Sequence, residues 1–281
     1  MMKPVDIKTL YESAKESIDV FAPFGGKRPD LIKTGFGAVD RALGGVFPGT
    51  CGIPGAYTGV GKSSLSITSA LSSNVPVGII STEDTADVVG TRILSAYSGV
   101  DSLDIRKGSL TDAEKTSLRN TYESLKVNNR VWVAYVVGGG LESILEATHA
   151  LADKGCKLIW LDYIQKIRGH NDDRRNEVAT SYTMFQNACF KHGVSGMVVS
   201  QIARQMGGNT GKPSRSMLKE SGDLENEARL ILLAWPDGQD KSKISVVIDK
   251  STVGGEGVTF SYWRDSSGTL REIDRRHEEE L

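Results

Sequence analysis

The segment Ala56-Tyr57-Thr58-Gly59-Val60-Gly61-Lys62-Ser63 constrains what this chain can fold into more than any other part of it. Small residues let the backbone curl until successive N–H groups point at one anion. A lysine and a hydroxyl follow at the spacing of a phosphate-binding loop, with Ala56 in the place of its first glycine. The flanks agree. Cys51–Pro54 reads as a strand, and Lys62 to about Leu71 as a helix whose N-terminal end adds its own positive field. The expectation is a P-loop NTPase site. Residues 56–64, Ser64 included, cradle the phosphates of ATP, Lys62 reaches the β- and γ-phosphates, and the Ser63 hydroxyl ligates Mg²⁺.

Around this loop the chain alternates strands and helices. Val77–Thr82, Val131–Val137, Leu158–Leu161 and Met197–Ser200 read as buried strands. Between them Thr85–Ser98, Thr111 to about Leu125, Leu141–Ala152 and Glu177–Phe190 read as helices, the second opened by the capping-box pattern T-D-A-E. This alternation predicts a mainly parallel central sheet with helices on both faces. Leu230–Ala234, Ile244–Ile248 and Val258–Trp263 follow as strands without helices between them, so the sheet is expected to close with an antiparallel hairpin. Ahead of the alternation, residues 5–21 place Ile7, Leu10, Tyr11, Ala14, Ile18 and Phe21 on one helical face, before a Pro/Gly-rich stretch at 22–30. The organisation is therefore an amphipathic helix and linker over 1–31, an α/β ATPase domain over 32–270 and a charged tail over 271–281.

Three polar residues stand at strand ends, where doubly wound sheets place ligand groups. Asp162 closes LIWLD and suits the magnesium hydration shell. Glu83 follows VGIIST and suits the base that activates water, although the adjacent Asp84 offers the same chemistry. Gln201 ends MVVS, where an amide can contact the γ-phosphate.

The 34 basic and 35 acidic residues leave a net charge of −1, so any nucleic-acid surface has to be local. Cys51, Cys156 and Cys189 form no C-x-x-C pair and read as buried free thiols, and the four histidines show no metal-ligand spacing. The first residues lack the apolar core of a signal peptide, and no stretch suits a membrane span, so the expected location is cytoplasmic.

Six segments occur in the order seen in DnaB-type replicative helicases, and the chain resembles that family over about residues 32–263. They are TGFGAVDRALGG (34–45), AYTGVGKSS (56–64), ISTED (80–84), LDYIQ (161–165), VSQIAR (199–204) and LKESGDLENEARLILL (218–233). The resemblance implies a RecA-like fold and a homo-oligomer, usually a hexameric ring, with nucleotide between subunits and single-stranded DNA in the channel. It implies that Glu83 is the general base, Asp162 the magnesium aspartate and Gln201 the γ-phosphate sensor. Lys219, Glu220, Ser221 and Gly222 would fall on the DNA-facing loop, with Arg204, Lys212 and Arg215 on the same glycine-rich stretch. Residues 168–176 would form a second channel segment. The helix before the linker resembles the one that grips a neighbouring ring subunit.

Two departures stand out. Only a short helix precedes the motor, the form expected of a stand-alone phage or plasmid enzyme, with a primase or loader as partner. The last hairpin carries Lys250 where the family has lysine, but Thr252 where it has the arginine that reaches a neighbour's γ-phosphate. Lys250 or Arg264 is then expected to substitute. The main reading is a DNA-translocating helicase. The rivals are a filament-forming recombinase-like ATPase and a slow nucleotide-switched loader.

Overall fold

The computed structural model describes residues 8–24, 28, 30–127, 130–167, 174–203, 211–218, 224–238 and 240–273. Helix α1, Leu10–Phe21, opens with a reciprocal capping box. Glu12 N–H donates to the Thr9 hydroxyl, and Thr9 N–H to the Glu12 carboxylate at 2.7 Å. Its Leu10, Tyr11 and Ile18 are exposed. Helix α2, Gly37–Leu43, has no counterpart in the sequence reading. It is anchored by Asp40, whose carboxylate accepts from Thr34 N–H (2.8 Å) and Gly35 N–H (3.1 Å).

The α/β layers follow: β1 (Cys51–Ala56), α3 (Lys62–Ser72), β2 (Val77–Ser81), α4 (Ala86–Ser98), α5 (Ser102–Lys107), α6 (Asp112–Val127), β3 (Val131–Tyr135), α7 (Leu141–Asp153), β4 (Leu158–Asp162), α8 (Arg174–His192), β5 (Ser195–Val198) and β6 (Ser200–Gln201). Thr111 makes the capping box expected from T-D-A-E, with its N–H 2.7 Å from Glu114. After α9 (Leu224–Glu227), the strands β7 (Leu230–Asp237), β8 (Asp240–Ser251), β9 (Thr259–Arg264) and β10 (Leu270–Glu272) complete the sheet.

The spatial order is β10-β9-β8-β7-β1-β5-β4-β2-β3, with β6 beside β1. From β7 to β3 every pairing is parallel, and β7 to β10 are antiparallel. The expected mainly parallel sheet is therefore present, and its closing hairpin is one part of a four-stranded antiparallel edge. β10 draws Arg271 and Glu272, the first residues of the charged C-terminal stretch, into that edge.

Register shows why both faces are covered. Gly78, Ile159 and Gly196 lie side by side on β2, β4 and β5. A Cβ on Gly78 would meet Leu151 of α7 at 2.9 Å, and one on Gly196 would meet Phe185 of α8 at 2.6 Å, so these helices pack directly on the sheet. Trp160, next along β4, points the other way, because side chains alternate along a strand. It donates to Ser69 of α3 at 2.9 Å. Trp160, Tyr182, Tyr262 and Phe185 are almost wholly buried and anchor the core, which also holds all three thiols unpaired. Among the described residues no helix is long and apolar enough to cross a membrane.

Candidate nucleotide site

The carboxyl ends of β1, β2, β4 and β6 converge on one edge of the sheet. The loop leaving β1 turns through Gly59 (φ +87°) and Gly61 (φ +100°), backbone conformations that side chains with a Cβ rarely adopt. Gly61 caps α3, and Lys62 is its first residue. A helix start leaves its first N–H groups without an intrahelical partner, and Leu65 N–H is the one that turns back to the Gly61 carbonyl, at 3.2 Å. The loop at residues 56–64 thus has a shape that could cradle an anion, with Tyr57 and Val60 buried and Thr58 and Gly59 exposed.

Asp162 ends β4 in register with Ser81 of β2. Thr82 fastens the two strand ends: its N–H donates to the Asp162 carbonyl at 2.9 Å, and its hydroxyl accepts from Tyr163 N–H at 3.0 Å. Burial pushes the Asp162 carboxyl above the ordinary aspartate range. The hydrogen bond from Ser63 and the charges of Lys62 and Arg92 pull it back, while Asp84 adds to the rise. The Ser63 hydroxyl and Asp162 carboxylate thus lie close enough to influence one another, and both are hard oxygen donors. That pair fits Mg²⁺, which takes few protein ligands and completes its shell with phosphate and water. No cluster of three or more His, Cys, Asp or Glu suited to a metal occurs among the described residues.

The two candidate bases have different partners. Glu83 pairs with Lys166 at 3.1 Å, and both side chains are about half exposed. Asp84 is bound to the guanidinium of Arg92 on α4, and its backbone N–H donates to Ser81. Lys62 and Lys166 both lie over the Tyr163 ring, at 5.0 and 6.0 Å. Arg92 and Lys166 escape a reading of the sequence, since no motif spacing marks them, and Tyr163, although it lies within LDYIQ, is given no role there. Arg92 carries the clearest sign, nine positions beyond Glu83 on the helix that follows it.

Gln201 lies opposite Ala56 across the β1–β6 pairing. Its amide donates to the Thr58 hydroxyl at 2.7 Å, so this side chain touches the phosphate loop directly. Gln165 backs it, accepting from Gln201 N–H at 3.2 Å and donating to Ser200 at 2.8 Å. The Tyr57 hydroxyl donates to the Gly211 carbonyl at 3.4 Å.

Of the residues assigned to a DNA-facing loop, Arg204, Lys219, Glu220, Ser221 and Gly222 lie outside the described residues, as do 168–173. Lys212 is exposed, and Arg215 is held by Asp249 of β8 at 2.9 Å.

The two candidate substitute cations sit at opposite ends of the sheet. Lys250 pairs with Ile231, which pairs in turn with Ile53 at the start of β1, and its ammonium donates to the carbonyls of Glu225 (2.7 Å) and Asn226 (2.9 Å). Arg264 lies at the phosphate edge, where it donates to the Gly59 carbonyl at 3.1 Å and the Lys241 carbonyl at 3.3 Å.

Residues 32–267 match the family of DnaB-like helicase C-terminal domains. The replicative DNA helicase DnaB of Pasteurella multocida is 27% identical over 90% of this chain and 58% of its own length, and the replicative DNA helicase DnaC of Bacillus subtilis is 24% identical over 88% and 58%. The chain thus spans somewhat over half the length of these relatives. Among solved structures, a DnaB-like replicative helicase studied with primase superposes with a TM-score of 0.81 at 19% identity, covering 96% of this chain and 68% of that one. A solved ATPase domain gives 0.82 at 18%, covering 96% of this chain and all of that one. These likenesses fix the fold as RecA-like, and on the match over 32–267 the chain belongs to the DnaB-like helicase C-terminal domain family.

Proposed function

We propose that this chain is an ATP-hydrolysing motor that assembles head to tail with copies of itself and moves along single-stranded DNA as a helicase. The observation that carries the reading is the Gln201–Thr58 contact. It joins the phosphate cradle to the strand leading into 203–222, so that a change at the γ-phosphate has a physical path to that segment.

Lys62 and the loop amides bind the triphosphate, and Ser63 with Asp162 hold the magnesium. When bound, Mg²⁺ neutralises charge on the β- and γ-phosphates. Glu83 orients the attacking water and takes its proton. Asp84 is the weaker candidate because it is committed to Arg92. Gln201 senses the γ-phosphate, and Lys250 approaches the site of an adjacent copy. Arg204, Lys212, Arg215 and Lys219–Gly222 face DNA, gripping its backbone without reading bases. A hexameric ring is the assembly this family resemblance favours, with α1 docked on a neighbour through Leu10, Tyr11 and Ile18, and with a primase or loader as partner.

The test is ATP turnover titrated with single-stranded DNA, with Lys62→Ala as control. Stimulation by DNA that is absent in Lys62→Ala supports the motor. Tight nucleotide binding with negligible turnover on any DNA refutes it and leaves a nucleotide-switched DNA binder, the reading that Thr252 favours.

A further inference from the structure

We propose that Arg264 is a second fixed cation of the phosphate site, positioning nucleotide bound by its own chain. The inference rests on the nucleotide-binding reading above and adds to it a residue that the phosphate-loop motif does not contain.

Arg264 is the last residue of β9. The antiparallel register, Trp263 against Lys243 and Ile244 against Pro236, brings it to the same edge as the exit of β1. One terminal nitrogen donates to the Gly59 carbonyl and the other to the Lys241 carbonyl. A Cβ on Gly61 would lie 3.2 Å from the first of these nitrogens, so the guanidinium rests across the loop from 59 to 61. The carbonyl and amide of one peptide unit point in opposite directions. A donor that fastens the Gly59 carbonyl therefore fixes the plane of the peptide whose amide, Val60 N–H, closes the turn on the Tyr57 carbonyl at 3.2 Å. Nothing lies within 4 Å of a Cβ at Gly59, and Arg264 is the side chain that bonds its carbonyl.

Charge supports the same assignment. Both partners of Arg264 are neutral carbonyls, and the adjacent Asp265 carboxylate is taken by Arg271 at 2.8 Å. Two other cations near the site are engaged by acids, Arg92 by Asp84 and Lys166 by Glu83. Arg264 thus keeps its positive charge beside a loop built for a polyanion, in a chain whose hairpin offers threonine at 252. Because Arg264 is tethered to its own loop, its contribution is to nucleotide affinity within one subunit.

The experiment is equilibrium binding of fluorescent ADP and ATP analogues to the full chain and its Arg264→Ala, Arg264→Lys and Lys62→Ala variants. Melting of each nucleotide-free variant is followed in parallel. Arg264→Ala is expected to weaken both nucleotides roughly tenfold, the scale of one charge-assisted contact. Arg264→Lys should recover part of that loss, and added salt should weaken binding less in Arg264→Ala than in wild type. Wild-type affinity in Arg264→Ala overturns the proposal. So does a loss that lysine does not rescue and that tracks a lower melting temperature, since that is the mark of a purely structural brace. Loss of binding in Lys62→Ala with none in Arg264→Ala rejects this inference alone, whereas normal binding in both rejects the phosphate site itself.

Discussion

Lys250 gives the sharpest test of a site shared between subunits. Its partner across β7 pairs with Ile53, three residues before the loop begins at Ala56, so it stands about 10 Å back along the sheet from its own phosphate site, at about 3.3 Å per residue. Its ammonium is also occupied at that far end by the Glu225 and Asn226 carbonyls. A direct effect of Lys250 on the reacting phosphate would therefore be exerted on a neighbour. Consider Lys62→Ala chains, which lack a working loop, mixed in equal amounts with Lys250→Ala chains, which lack the cation proposed to act in trans. An interface is intact when its loop comes from the second kind and its neighbour is of the first kind, so random head-to-tail assembly restores roughly a quarter of the interfaces. A cation acting in trans contributes on the order of 10³–10⁵ in rate in other NTPases, so the separate variants should both be nearly silent. Steady-state ATP turnover of the mixture, after exchange of subunits, should rise well above the mean of the two variants alone. A mixture no more active than that mean refutes a trans role for Lys250.

Three further outcomes follow from the site. Gly61→Ala should cost about 1–2 kcal/mol for its positive φ and more for contacts at 2.9 Å with Ser64 and 3.2 Å with Arg264, while Gly59→Ala carries the strain without the crowding. Urea midpoints should separate the two, and equal losses would refute the packing argument. Asp162→Asn should raise the melting temperature of the nucleotide-free protein while removing magnesium-dependent binding. The folded carboxyl is raised above its unfolded value, so the wild type loses stability as pH climbs from the ordinary aspartate range to that raised value, and a pH series of melting curves should show a smaller fall in the variant, where Asp40 is the raised aspartate that remains among the described residues. Tyr57→Phe, which deletes the hydroxyl that reaches Gly211, should leave nucleotide affinity intact and reduce stimulation of turnover by DNA severalfold.

What is legible in the sequence is local. The strand, loop and helix from Cys51 to Ser72 can be read because phosphate chemistry needs glycine, lysine and a hydroxyl at fixed spacing, and Asp162 can be read because a carboxylate ends an apolar strand. Of strand β7 the sequence shows only the first part, Leu230–Ala234, and of β8 only the middle, Ile244–Ile248. Asp240, Lys241, Lys243 and Lys250 lie at the ends of a β8 that is buried only in its middle, so their polarity hides the strand. Helix α2 is hidden because its anchor is the Asp40 carboxylate bonding to backbone N–H groups rather than an apolar period. The contacts that shape the site are out of reach for another reason: Gly59 and Arg264 are 205 residues apart, and Thr58 and Gln201 are 143 apart. Which of two candidate cations serves which site is a question of sheet register, and no motif records register.

That register also decides how copies can assemble. One edge of the sheet carries the cradle with Lys62, Asp162 and Arg264, and the opposite end carries Lys250. A two-fold dimer buries the same patch on both subunits, so it would set like edge against like and leave each cradle without the cation. A head-to-tail contact sets unlike edges together and completes one site per interface, and its repetition gives a ring when the rotation closes and a filament when it does not. In this reading assembly and catalysis are a single property of the chain. The cradle and Lys250 of one chain, about 10 Å apart along its strands, would then complete a site only across a subunit boundary.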